Sequence, residues 1–201
     1  VNTPSHYVLN VVALGYAFAP DAVTAITLGA IAPDIPIFLF YAVAKLIYRL
    51  PEAQIWSEAY YESAGWQTAI TIGHSFPLAI LGLALCLWGQ WRMGFFFFAS
   101  MIGHSLLDIP VHHDDAHRHF FPLSHYRFIS PLSYWDPRHH GRLVAAVELL
   151  LVLGVSPLAW TVLKTAWSRG ILVAINGLYL IGYSRFYLAS LLTSLFHSNT
   201  S

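Results

Sequence analysis

Six apolar stretches divide the chain, at about residues 7–19, 21–50, 67–91, 93–110, 143–164 and 170–196. Crossing the hydrocarbon core of a bilayer takes about 20 apolar residues of helix. The third, fifth and sixth stretches reach that length, and the fourth falls just short. Charge points the same way: 10% of the 201 residues are charged and 57% are hydrophobic, against about 25% charged in an ordinary soluble domain. So few charges cannot clothe a soluble surface of this size. The fold class that follows is all-α: a polytopic membrane helical bundle, one domain over residues 1–201. Such a chain is expected to be integral and multi-pass, in a bacterial-type inner (plasma) membrane. The opening Val1-Asn2-Thr3-Pro4-Ser5-His6 has no basic start and no small-residue cleavage pattern behind it. The membrane segments themselves are therefore expected to direct insertion.

The first two stretches do not read as simple spans. Residues 7–19 and 21–32 read as short helices joined at Pro20-Asp21, and Pro33-Asp34-Ile35-Pro36 breaks the second before another short helix that ends near Arg49. Backbone broken at membrane depth survives only where protein or a water-filled cavity satisfies its polar groups. A break that carries an acid is therefore a candidate site. Two segments are too polar for a bilayer: 51–66, with Glu52, Glu58 and Glu62, and a His/Arg-rich loop at 111–142. Trp56, Trp66, Trp88, Trp91, Trp160 and Trp167 fall near segment ends, where interfacial belts form. Glu148, inside the fifth stretch, is expected to pair with a cation such as Arg185. The single cysteine, Cys86, excludes an intrachain disulfide.

Formal net charge is zero, so no broad basic surface exists to attract nucleic acid. Histidine is the anomaly. There are eleven, six of them between His104 and His125, an enrichment that points to metal or proton chemistry. In Gly103-His104-Ser105-Leu106-Leu107-Asp108 the His and Asp stand four apart, so on a helix they share a face with Cβ atoms about 5–6 Å apart. Imidazole nitrogen and carboxylate oxygen can then reach one ion at roughly 2.0–2.2 Å.

Three remote residues are expected to join them. His74 lies in Gly73-His74-Ser75 near the start of the third stretch, Asp34 sits at the break in the second, and His6 precedes the first. An antiparallel third and fourth stretch, turning at Arg92, puts His74 and His104 at one membrane face. A hairpin of 7–19 and 21–32 does the same for His6 and Asp34. Two aspartates within membrane helices cost on the order of 5–7 kcal/mol, which structural zinc binding, at roughly 10–16 kcal/mol, can offset. The loop His112-His113-Asp114-Asp115-Ala116-His117-Arg118-His119 offers further ligands, His112 and His117 first among them. Arg118, Arg127, Arg138 and Arg142 share that loop. Guanidinium forks suit phosphate oxygens, and Arg118 and Arg138 are the candidates to hold an anionic group, although the four also fit a positive-inside loop.

Pro4-Ser5-His6, Gly29-Ala30-Ile31-Ala32-Pro33-Asp34, Gly73-His74-Ser75 and Gly103-His104-Ser105-Leu106-Leu107-Asp108, in that order, resemble the YdjM-like family of membrane-bound metal-dependent hydrolases. The resemblance covers roughly residues 4–142. That family is itself similar, at a distance, to zinc-dependent phospholipase C and the single-strand-specific zinc nucleases. The resemblance implies metal contact for His6, Asp34, His74, His104 and Asp108. The soluble relatives carry a second His-x-x-x-acid pair, whereas this chain offers after Asp108 only the reversed pairs Asp115/His119 and Asp136/His140, which argues against a full three-metal cluster.

The expected activity is hydrolysis of a phosphoester or ester in a lipid, lipid-linked or small-molecule substrate, with one or two zinc ions activating water. Asp34 or Asp108 would orient ligands or accept a proton. Two other classes compete. A membrane di-iron hydroxylase or desaturase uses His-x-x-His-His boxes, but neither His112-His113 nor His139-His140 has a histidine three places before it. A non-enzymatic metal carrier or scaffold would place ligands midway across the bilayer, often between repeated halves. Here they crowd one face and no repeat appears.

Overall fold

In the computed structural model, which describes residues 1–185, the regular structure is helical. α1 (Thr3–Asn10) runs on into a wider π-turn over Val11–Tyr16. A tight turn at Pro20–Ala22 then opens α2 (Val23–Ile31), which passes through a single 3-10 turn at Ala32–Asp34 into α3 (Ile35–Ala42) and on to Ile47. Short helical turns follow, α4 (Glu52–Gln54) and α5 (Tyr60–Glu62), before α6 (Ala64–Gly73), α7 (Phe76–Trp88) and α8 (Arg92–Asp108). Residues 112–136 are irregular, and α9 (Gly141–Val162) and α10 (Ala166–Tyr183) complete the described chain.

Among the described residues, three helical runs are long and apolar enough to cross a membrane: Pro20–Ile47, Arg92–Val111 and Gly141–Val162. α6 and α7 together make a fourth if their 46° bend lies within one span. These assignments correct the sequence reading in three places. The second stretch is not broken at Pro33-Asp34-Ile35-Pro36; it is one helical run of 28 residues. Pro33 and Pro36 each fall in the first turn of a helical segment, where a missing N–H costs little, so one tightened turn carries the chain through. The third stretch, long enough by sequence for one span, is the one that bends. There His74 closes α6, Ser75 caps α7 by accepting from the Leu78 N–H at 3.2 Å, and Pro77 occupies the first turn. The fourth stretch, just short by sequence, qualifies because its helix continues to Val111. The sixth stretch contributes α10, and its remainder lies outside the described residues.

α2 and α8 run parallel at the centre. Arg92 holds Asp21 with two hydrogen bonds of 2.8 and 3.1 Å at one end. Midway, Ser100 Oγ donates to the Ile26 carbonyl at 2.7 Å, while Asn10 Nδ2 donates to the Ser100 carbonyl and hydroxyl at 2.8 and 2.9 Å. Three helices are thereby cross-linked by buried polar groups, each supplied with a partner as a dry interior requires. The approach is close enough that a β-carbon at Gly29 would overlap the Phe97 carbonyl. Around this seam Val8, Val11, Ile26, Phe96, Val152, Val162 and Leu172 form the main apolar cluster, which draws α9 and α10 against α1.

Candidate metal centre

The polar residues of four helices meet at the end of the bundle opposite the Asp21–Arg92 pair. His6 comes from α1, Asp34 from the 3-10 turn, His74 from the α6–α7 bend, and His104 and Asp108 from the last turns of α8. Glycine makes one of these meetings possible: a β-carbon at Gly73 would lie 3.0 Å from both Cα and the carbonyl oxygen of Pro33. The end of α6 therefore rests directly on the turn that carries Asp34.

Backbone carbonyls fix two of the rings. His74 Nδ1 lies 2.8 Å from the Ile70 carbonyl and His104 Nδ1 lies 2.7 Å from the Ala30 carbonyl. With Nδ1 donating, each ring turns an Nε2 lone pair inward, the orientation seen when a backbone acceptor sets the tautomer of a metal-binding histidine. Both Nε2 atoms are buried and have no hydrogen-bond partner among the described residues. His104 Nε2 is 3.1 Å from Asp108 Oδ2, yet the two are not aligned as a hydrogen bond. Asp34 Oδ1 is 3.6 Å from both His74 Nε2 and His104 Nε2, and Asp108 Oδ2 is 3.7 Å from His74 Nε2. On its other side, Asp108 Oδ1 lies 3.0 Å from His6 Nε2 and 3.2 Å from His112 Nε2. Asp34 Oδ2 accepts from the Thr3 hydroxyl.

These spacings fit co-ligands better than hydrogen bonds. Donor atoms bound to one ion at about 2.0–2.2 Å, with bond angles near 90–110°, stand about 3–3.6 Å apart. Among the described residues, three overlapping groups have ligand atoms close enough to hold an ion: His6/His104/Asp108, Asp34/His74/His104 and His74/Asp108/His117. Each of His74, His104 and Asp108 belongs to two of them, and the two oxygens of Asp108 face different histidines.

His117, in the irregular loop, stacks on His74 with ring centroids 3.9 Å apart. Burial, helped by the neighbouring His74, pushes its pKa well below the ordinary histidine value, a shift that favours the neutral form, which is the one that ligates metals. Burial likewise lowers His119 to about 4. His112 stands in none of the three groups. It lies between two carboxylates, with Nε2 on Asp108 and Nδ1 3.0 Å from Asp115 Oδ2. Burial favours a neutral His112, but the flanking acids outweigh it and raise its pKa. Its position is that of a residue bracing Asp108.

A cavity of 680 Å³ opens beside the cluster. Asp34 and His117 belong to both cluster and wall, and the rest of the wall is mostly aromatic. The two arginines expected to serve the site stand elsewhere. Arg118 donates from Nε to the Thr71 hydroxyl at 3.2 Å, Arg138 clamps Asp136 with contacts of 2.8–3.1 Å, and neither lines the cavity. Of the reversed pairs, Asp136 is thus engaged by Arg138, and neither Asp115/His119 nor Asp136/His140 enters a ligand group. Glu148 does not pair with Arg185: its carboxylate accepts from the Asn2 N–H, the Asn2 side chain and the Tyr179 hydroxyl, each at 2.9 Å. An acid inside an apolar stretch, the signal that marked Asp108, marked Glu148 too. The sequence marked Asp115 only as half of the reversed pair Asp115/His119, and nothing in it singled out the aromatic wall. No family model matches the chain, and no curated protein or solved structure is significantly similar to it.

Proposed function

We propose that the chain is a multi-pass membrane protein that holds one or two divalent ions, zinc foremost, and hydrolyses a phosphoester or ester of a lipid or lipid-linked substrate. Membrane residence is supported by the candidate spans and by large apolar side chains that face outward from them, among them Leu28, Leu39, Leu150 and Leu151. The observation that carries the metal reading is the pair of buried, unpartnered Nε2 atoms of His74 and His104 aimed at Asp34 and Asp108. Leaving such groups unmet costs about 1–3 kcal/mol each, a penalty that coordination removes.

His6, Asp34, His74, His104, Asp108 and His117 would hold the ions. A divalent ion there supplies Lewis acidity and brings the pKa of a water it binds toward about 7. The chain's own residues do the rest. Asp108 presents one oxygen to each side of the cluster and is braced by His112. Asp34 is the carboxylate that faces both the ligands and the cavity, so its oxygens can take the proton of an attacking water. The aromatic wall excludes bulk water from the opposite side and offers apolar surface to a lipid. The motif resemblance favours the chemistry of the zinc phospholipases.

The test is metal analysis of purified protein beside His74→Ala and Asp108→Ala, with hydrolysis measured on lipid vesicles. Wild type should carry at least one zinc per chain, and both variants should lose metal and activity together. Wild type without stoichiometric metal, or hydrolysis untouched in His104→Ala, would overturn the reading.

A further inference from the structure

The cavity wall away from the ligands combines Asp115 with Trp56, Tyr60, Tyr61, Tyr134 and Trp135. Asp115 is the anomaly in it. Its Oδ2 lies 3.0 Å from His112 Nδ1, but its Oδ1 is buried and has no hydrogen-bond partner among the described residues. A carboxylate oxygen withdrawn from water needs a donor or a cation. No lysine or arginine side chain lines the cavity; His112 meets only the other oxygen of Asp115, the Val1 ammonium is held by Asp108 Oδ1 at 2.9 Å, and none of the three ligand groups includes Asp115. The rings around it present π-faces, which attract organic cations by their quadrupoles. We propose that this end of the cavity is a binding subsite for an organic ammonium group, with Asp115 as counter-ion and the aromatic residues as its walls.

The local field agrees. The Tyr60, Tyr61 and Tyr134 phenols are all pushed up, first by burial and then by nearby acids, Asp115 among them for each; Tyr61 reaches about 12. Arg127 acts in the opposite sense on Tyr61 but does not line the wall. The space is therefore lined chiefly by aromatic rings, with the carboxylates of Asp34 and Asp115 in its wall. At 680 Å³ it lies within the range of about 300–1,000 Å³ that small-molecule sites occupy. A free organic ammonium ion and the ammonium end of a zwitterionic lipid headgroup share this chemistry. The second source rests on the hydrolase reading above, because it sets the headgroup phosphate toward Asp34 and His117; the first does not.

The experiment uses the detergent-solubilised full chain, treated with chelator, and follows tryptophan fluorescence during titration with choline or its uncharged carbon isostere 3,3-dimethylbutanol. Choline should saturate and bind about tenfold or more tightly than the isostere. Asp115→Asn should remove most of that preference, and Asp115→Glu should keep part of it. Equal binding of the two probes to wild type, or no saturable choline signal, overturns the subsite, and that comparison requires no variant to fold. A second arm measures zinc-loaded protein on phosphatidylcholine and phosphatidylglycerol in mixed micelles. Faster cleavage of the choline lipid assigns the subsite to a lipid headgroup; choline binding with equal cleavage assigns it to a free ammonium ion. Choline binding with no cleavage of any ester leaves the subsite standing and removes the hydrolase reading alone.

Discussion

Glu148 and Asn2, 146 positions apart, are joined by two hydrogen bonds of 2.9 Å, one from the Asn2 backbone N–H to Oε1 and one from its side-chain amide to Oε2. Tyr179 of α10 donates to the same Oε1 and is itself 2.5 Å from the Ser5 hydroxyl. The first turn of α1 is thus pinned to α9 and α10 immediately before His6. A buried carboxylate with three donors tolerates little change, since an amide in its place turns one acceptor into a donor facing donors. Glu148→Gln should destabilise the protein by about 1–3 kcal/mol and Tyr179→Phe by about 1 kcal/mol. Thermal unfolding in detergent measures both, and zinc affinity should fall with Glu148→Gln because His6 loses its anchor. An unchanged melting temperature for both variants would contradict this tether.

Gly73 sets the distance between Asp34 and His74. Its missing β-carbon would stand 3.0 Å from the Pro33 backbone, and backbone cannot yield as the end of a side chain can. Gly73→Val should therefore push α6 off the Asp34 turn, costing about 1–3 kcal/mol through overpacking and weakening zinc binding. Gly65→Val serves as the control, because no atom lies within 4 Å of a β-carbon there. Isothermal titration with zinc distinguishes the two; equal affinities would show that the contact between α6 and Pro33 does not set the site.

Helix ends were the legible part of this chain. His6, His74, His104 and Asp108 each sit where a helix begins, bends or nears its end, and a polar residue there can face only the interior or the interface; Asp34 lies instead on the 3-10 turn inside a continuous run. The packing of α1, α2, α7 and α8 then brings those ends together. The path of the chain was less legible. Prolines at 33 and 36 read as a break, yet each falls where a helix tolerates proline; the real bend lies at His74-Ser75, beside a single proline. The irregular loop was least legible. Its histidines crowd together without a spacing that ranks them, and only its tertiary course sets His117 among the candidate ligands, His112 behind Asp108 and His113 against the Ser130 carbonyl. Trp56 read as an interfacial belt residue, but the turns around it fold over the cavity.

The same loop separates Arg118 and Arg138 from the expected anion contact. Arg138 is 80% exposed at its side chain and is committed to Asp136, whose carboxylate also caps the turn before α9. Arg118 is committed to Thr71. Neither is among the residues that face the ligand groups, so Arg118→Ala and Arg138→Ala should leave zinc stoichiometry at the wild-type value. Elemental analysis of the two purified variants checks this, and loss of zinc from either would mean that the loop reaches the cluster by another course.

The phenols of the cavity wall give the field of Asp115 a spectroscopic handle. In the folded chain Tyr60, Tyr61 and Tyr134 have raised pKa values, with burial the largest cause and Asp115 a further one. An unfolded tyrosine ionises near 10. For an acid whose folded pKa is raised, the folded state keeps the proton longer than the unfolded one. Its contribution to stability is therefore complete below about pH 10 and is lost as pH rises through the folded value, which for Tyr61 is about 12. Tyrosinate absorbance of metal-free protein should accordingly show a late-titrating group of phenols. Asp115→Asn removes a negative charge beside them and should move that late transition to lower pH, while Asp21→Asn, at the other end of the bundle, should not. A transition that stays in place in Asp115→Asn would mean that burial alone sets these phenols and that the carboxylate does not polarise the cavity.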